Sequence, residues 1–218
     1  MSASAAKDEE ERWREEITRT ARSLFERGWT HGSTGNISVR LSDGGWLMTP
    51  TGSSMGTLEP SRLSRLNAQG QHIAGDKPTK EAFLHTTMYA ARPDAGAVVH
   101  LHSTHSVAVS CLAETNAEDC LPPMTAYYVM RVGRLPLVPY YPPGDPDLAQ
   151  AVGKLAGRHH AMLLANHGPV VAGSSLSAAS DAMEELEETA RLFLMLRGER
   201  LKILTPEERE TLRQRFGG

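Results

Sequence analysis

Cysteine is scarce in this chain: Cys111 and Cys120 are the only two in 218 residues. No structural disulfide is expected from them, and the cytoplasm is favoured. Their spacing matches no common thiolate pattern for zinc. Long apolar runs are also missing, so no stretch reaches the roughly 20 residues that cross a bilayer. The opening segment from Met1 to Glu11 lacks the apolar core of a secretory signal. A large excess of one charge is missing too: 23 Lys and Arg stand against 26 Asp and Glu, a net charge of −3. That balance gives no electrostatic reason to expect nucleic acid or an anionic membrane as partner. Repeats and low-complexity linkers are absent. What is there is an ordinary globular composition, 40% apolar and 22% charged, long enough for one good core. We therefore expect a single domain over 1–218, with about 1–10 as a polar tail.

Taken in order, Trp13, Ile17, Ala21, Leu24 and Phe25 recur at helical spacing up to Gly28. Ile37 to Leu41 alternates as a strand, Ser42-Asp43-Gly44-Gly45 turns, and Trp46 to Thr49 returns as its hairpin partner. A short helical turn and another hairpin follow over 58–78, then a helix from about Thr79 to Arg92. Ala97 to Ser103 alternates as a half-buried strand, and 104–112 reads as a helix. Leu135 to Val138 and Ala161 to Ala165 are apolar strands, the latter neighboured by Pro169 to Gly173. Asp145 and Pro146 cap and open a helix, a long helix spans about Leu176 to Arg197, and Thr205-Pro206-Glu207-Glu208 is a capping box. This interleaving, without a regular parallel-crossover period, predicts an α/β layered domain around a largely antiparallel sheet.

Within the alternating strand, His100 and His102 lie two apart and project side by side, able to reach one cation. A lone His-x-His is more often just a wet strand face. His167 follows an apolar strand and precedes Gly168, where the backbone can turn. Three histidines would complete a three-ligand site with an open fourth position, the usual arrangement of catalytic zinc. His31, His72, His85, His105, His159 and His160 show no comparable pairing, and the last two read as surface residues. Glu81 opens a helix, where the macrodipole alone could explain a carboxylate; beside a metal it could instead move protons. The loops Ser33 to Asn36, Thr49 to Ser54 and Pro78 to Lys80 carry hydroxyls, backbone N–H groups and one cation. Phosphate sites need such donors, and ordinary turns use them as well.

Five separated stretches together resemble the class II aldolase/adducin family: Gly35-Asn36-Ile37-Ser38-Val39-Arg40, Thr49-Pro50-Thr51-Gly52, Glu81 with His85, His100-Leu101-His102 and Asn166-His167-Gly168. They run in order from about Ala21 to Leu196, nearly the whole chain. The resemblance implies a three-layer α/β/α sandwich around a largely antiparallel central sheet. It also implies one zinc ion per chain on His100, His102 and His167, Glu81 as acid/base, and Asn36, Thr51, Gly52, Thr79 and Lys80 as a phosphate cradle. Tyr127 or Tyr128 would be the proton-donating tyrosine. A homotetramer with active sites at subunit interfaces is implied as well. One departure is Thr79-Lys80, where the fuculose-phosphate aldolases carry a pair of serines.

Two stretches, His31 to Ser38 and Val129 to Tyr140, resemble more narrowly the branch that decarboxylates a 3-oxo-tetronate 4-phosphate in four-carbon sugar-acid catabolism. The expected activity is thus zinc-dependent conversion of that phosphorylated sugar acid to dihydroxyacetone phosphate and carbon dioxide. Retro-aldol cleavage of a ketose 1-phosphate passes through the same enediolate, so a sugar-phosphate aldolase is the alternative and a 4-epimerase the third. A non-enzymatic, adducin-like interaction domain is the rival from another class. The complete histidine set with Glu81 argues against it, and metal analysis of the purified protein discriminates the two.

Overall fold

The sequence's alternating strands are short, and they are stable because helices cover both their faces. In a computed structural model, which describes residues 3–142 and 144–216, the helices are α1 (Ala3–Glu26), α2 (Ala82–Ala91), α3 (Thr104–Ser110), α4 (Ala126–Arg131), α5 (Pro146–Ala156), α6 (Leu176–Met195) and α7 (Pro206–Phe216). The strands are β1 (Asn36–Arg40), β2 (Trp46–Met48), β3 (Ser64–Leu66), β4 (His72–Ala74), β5 (Ala97–His100), β6 (Leu137–Val138), β7 (Ala161–Leu164) and β8 (Gly168–Gly173). They form one sheet in the order β4-β3-β2-β1-β5-β8-β7-β6. Every pairing is antiparallel except β6 with β7.

Side-chain alternation along β5 divides the core in two. Ala97, Val99 and Leu101 join Ile17, Leu24, Met183 and Leu186, so α1 and α6 lie on one face together with α3 and α4. Val98 joins Leu84, Met88, Leu148 and Val152, which places α2 and α5 on the other. The result is the expected α/β/α sandwich. The strand expected to be half-buried is instead buried along its whole length, because each face meets a helical layer.

Residues expected as a polar tail are helical from Ala3 onward. Their stability comes from polar contacts that periodicity does not register. Glu10 pairs with Arg14 at 2.6 Å and Arg65 at 3.2 Å, and Glu9 accepts from the Ser42 N–H at 3.2 Å. Asp145 caps α5 with Pro146 in its first turn, and Thr205 and Glu208 exchange the reciprocal capping bonds at α7.

Candidate active site

The register of β1 against β5 pairs Asn36 with His100. Gly35 permits this approach, since at its φ of +78° a Cβ would stand 2.9 Å from the His100 carbonyl oxygen. His100 ends β5 and is fully buried; its Nδ1 lies 2.8 Å from the Pro169 carbonyl oxygen on β8. That bond assigns the ring proton to Nδ1, so Nε2 carries a lone pair turned inward.

The β7–β8 turn delivers the third imidazole. Asn166 adopts a φ of +54°, the one non-glycine residue at positive φ among those described. Gly168 packs so closely on the other loop that a Cβ would stand 2.3 Å from the Leu101 carbonyl oxygen. His167 is thereby pressed against His102, with Nε2 to Nε2 at 3.1 Å. Ring centroids of His100, His102 and His167 are 4.6–5.0 Å apart.

Glu81 occupies the N-cap position of α2 but makes no side-chain cap bond. Its carboxylate turns away from the helix end, with Oε1 3.0 Å from His167 Nε2 and Oε2 3.5 Å from His100 Nε2. The macrodipole explanation therefore does not account for its orientation. Ligand atoms of Glu81, His100, His102 and His167 all lie within 4.8 Å of one another.

These residues fit a divalent cation. His100 Nε2 is buried and has no hydrogen-bond partner. Two nitrogens bound at ~2.0–2.1 Å around a tetrahedral ion stand ~3.3 Å apart, close to the His102–His167 spacing. Burial lowers the basicity of His100, and it pushes His102 down to about 3 with help from the neighbouring His100 and His167. Neutral imidazoles are the form that binds metal. Burial also works against the charged form of Glu81, but His100 and the hydrogen bonds from His167 and Asn36 outweigh it, so the carboxyl sits well below the usual range.

The expected phosphate residues are gathered beside Glu81. A bridge between Pro50 and Pro78 holds the two loops together, and the Thr51 N–H donates to the Lys77 carbonyl oxygen at 2.9 Å. Gly52 and Lys80 are exposed there, while Thr79 is buried with its N–H on the Thr49 carbonyl oxygen. Asn36 is tied to this set through its amide, which bonds Thr79 and Glu81 as well as His85. The two tyrosines are not brought to the histidines within the chain. Tyr128 is buried in the core, its hydroxyl without a partner, and Tyr127 is exposed on α4 against Arg131.

Sequence reading passed over several residues around the centre. An open cavity of about 480 Å³ is lined by His31, His102, Tyr140, Tyr141, Asn166 and His167. His85, taken as unpaired, is fully buried and hydrogen-bonded on both ring nitrogens. Its four-residue spacing from Glu81 and Tyr89 was the available signal. His160 is partly buried rather than a surface residue, with Nε2 2.9 Å from the Arg131 carbonyl oxygen. Both cysteines are free. Among the described residues no helix is long and apolar enough to cross a membrane.

A three-histidine centre with an adjoining glutamate at the heart of this sandwich defines a class, and the chain belongs to the Class II Aldolase and Adducin N-terminal domain family, which it matches over residues 15–194. It is 51% identical over 204 residues to 3-oxo-tetronate 4-phosphate decarboxylase from Escherichia coli, covering 94% of this chain and 96% of that protein. It is 30% identical over 207 residues to L-fuculose phosphate aldolase from Haemophilus influenzae, covering 93% and 92%. Among solved structures, YgbL from Escherichia coli superposes with a TM-score of 0.92 at 50% identity, over 94% of this chain and 99% of that one.

Proposed function

We propose that this chain catalyses zinc-dependent decarboxylation of a 3-oxo-tetronate 4-phosphate to dihydroxyacetone phosphate and carbon dioxide, in the cytoplasm, within four-carbon sugar-acid catabolism. The observation that carries the reading is the contact of the Glu81 carboxylate with His167 and His100: a proton-handling group borders a cluster of three imidazoles. The similarity to proteins named for this decarboxylation supports the choice of substrate.

In this reading His100, His102 and His167 hold one zinc ion. When bound, the ion supplies Lewis acidity for the electron pair that departing carbon dioxide leaves toward the 3-oxo group. Asn36, Thr51, Gly52, Thr79 and Lys80 bind the phosphate, with Lys80 adding charge at the N-terminus of α2. Glu81 takes a proton from water in the open cavity and passes it to C2. This reading includes a homotetramer with interface sites, in which Tyr127, exposed on α4, serves the centre of a neighbouring chain.

The second reading is a class II sugar-phosphate aldolase, which the identity to L-fuculose phosphate aldolase favours. The test is a panel of 3-oxo-tetronate 4-phosphates and ketose 1-phosphates offered to metal-loaded and chelator-treated protein. Carbon dioxide from the oxo acids, lost on chelation, is expected; an aldehyde from a ketose phosphate with no carbon dioxide overturns the decarboxylase reading.

A further inference from the structure

A cavity of about 480 Å³ opens beside His102 and His167, and neither Glu81 nor any of the five residues assigned to the phosphate lines it. Its remaining walls are His31, Thr104, Val107, Tyr140, Tyr141 and Asn166. They come from the loop before β1, from α3, from the loop after β6 and from the β7–β8 turn. The backbone that carries the histidine is pinned by a turn. The Thr34 N–H donates to the His31 carbonyl oxygen at 3.1 Å, as does the Thr34 hydroxyl at 2.6 Å. The Thr30 hydroxyl in turn donates to the Thr34 carbonyl oxygen at 2.8 Å. That turn runs through Gly35 straight into β1, whose first residue, Asn36, pairs with His100. The His31 backbone is thereby placed relative to the histidine cluster, although its side chain is exposed.

The cavity is rich in donors and has no permanent cation. Among the described residues, the side chains of His31, Thr104, Tyr140 and Tyr141 make no hydrogen bond within the chain, which leaves an imidazole, a hydroxyl and two phenols for a ligand. No lysine or arginine lines the space, and Val107 gives it an apolar wall. Such a set suits a carboxylate that has to leave as carbon dioxide. When the C1–C2 bond of a 3-oxo acid breaks, its electron pair passes through C2 toward the 3-oxo oxygen, and C1 departs as a neutral molecule. A guanidinium or ammonium paired with the carboxylate would hold the charged ground state more tightly than the transition state, and would slow the step. N–H and O–H donors without a permanent charge orient the carboxylate with less of that penalty, and the apolar wall favours the uncharged product.

We propose that this cavity is the subsite for the C1 carboxylate of the substrate, with the His31 imidazole as the hydrogen-bond donor that orients it. The inference rests on the decarboxylase reading and adds to it the recognition of the acid end. With the phosphate on the loops at Thr51 and Thr79 and the 3-oxo group at the histidine cluster, C2 and C1 extend past His102 and His167 into this space. A ketose 1-phosphate would place an uncharged hydroxyalkyl arm there instead. His31 is therefore a specificity-determining residue, one that favours a sugar acid over a sugar.

The test uses two probes that carry the phosphate but lack the 3-oxo group, and so cannot lose carbon dioxide. One is a tetronate 4-phosphate; the other is the matching tetritol 4-phosphate, with CH2OH in place of the carboxylate. Calorimetric affinities for both are measured on metal-loaded wild type, His31→Ala, His31→Gln and His31→Arg, together with metal per chain and with kcat and KM on a 3-oxo-tetronate 4-phosphate. His31 is exposed, so these changes leave the core untouched. Wild type should prefer the tetronate. In His31→Ala, affinity for the tetronate should fall about tenfold, the scale of one hydrogen bond to a charged group. Affinity for the tetritol and metal content should stay within about twofold, because the phosphate loops and the ligands are unchanged. His31→Gln, which keeps an N–H donor, should recover most of the preference. His31→Arg should bind the tetronate at least as tightly as wild type and yet lose about tenfold in kcat, since its charge stabilises the ground state. An unchanged tetronate-to-tetritol ratio in His31→Ala, loss of metal from that variant, or a raised kcat in His31→Arg would overturn the inference while carbon dioxide is still released. Wild-type enzyme that releases no carbon dioxide would instead remove the reading beneath it.

Discussion

His100 Nδ1 lies 2.8 Å from the Pro169 carbonyl oxygen, a bond between adjacent strands that leaves Nε2 buried and unpartnered beside His102 and His167. A buried nitrogen without a partner is costly unless something binds it. The same bond orients the ring, as the outer hydrogen bonds of metal-ligating histidines commonly do. We therefore expect His102→Ala to lower metal content and activity together, because three ligands become two. Metal per chain by elemental analysis, before and after dialysis, checks this. A variant that keeps one tightly held ion would show that His102 is not a ligand.

Lys80 is exposed where the loops at Thr51 and Thr79 meet the N-terminus of α2. Replacing it by Met removes a point charge without removing the aliphatic stem. KM for the phosphorylated substrate should rise about tenfold, and the preference over an unphosphorylated analogue should shrink by a similar factor. Unchanged discrimination would return Lys80 to the solvated surface.

Glu187 on α6 supplies the cap that Ser103 does not give to α3. Its carboxylate accepts from the His105 N–H at 2.8 Å, the Ser106 N–H at 2.9 Å and the Ser106 hydroxyl at 2.6 Å. Burial raises this carboxyl, but those bonds outweigh it and its pKa is lowered. A carboxyl depressed in the folded state stabilises fully above its unfolded value, ~4.3 for glutamate, and that stability is lost as pH falls through the folded value. Glu187→Gln should cost about 1–3 kcal/mol at neutral pH, a fall of roughly 3–10 °C in Tm. The gap from wild type should narrow in acid below about pH 4. Thermal melts at pH 7 and in acid measure both; a constant gap would mean that Glu187 is not depressed.

What the sequence made legible was local. The alternation of Ala97, Val99 and Leu101, the Asp145-Pro146 helix start and the Thr205–Glu208 capping box each depend on neighbours within a few residues. His100, His102, His167 and Glu81 come together across α2, β5 and the β7–β8 turn, and family resemblance supplied that convergence more firmly than spacing did. The hydrogen bonds joining Asn36 and Ser38 on β1 to His85 and Tyr89 on α2 stayed hidden because they depend on how β1 faces α2, a non-local relation. The start of α1 was missed for a different reason: ion pairs such as Glu10 with Arg65 stabilise a stretch with little apolar periodicity. Tyr128 was a candidate through the family resemblance, and its burial at 1% exposure places its hydroxyl away from any solvent-filled site.

Decarboxylation in deuterium oxide tests the central claim most directly. Loss of carbon dioxide from a 3-oxo-tetronate 4-phosphate leaves C2 to be protonated, and in the proposed reading Glu81 protonates it from one side only. Wild-type enzyme should release one carbon dioxide per dihydroxyacetone phosphate, with a single deuterium placed stereospecifically at the hydroxymethyl carbon. Glu81→Gln should keep its metal and lose about 10²–10⁴ in turnover, with the deuterium scrambled between the two faces. An enzyme that gives no carbon dioxide, or a Glu81→Gln variant that forms stereospecifically labelled product at the wild-type rate, would contradict the account.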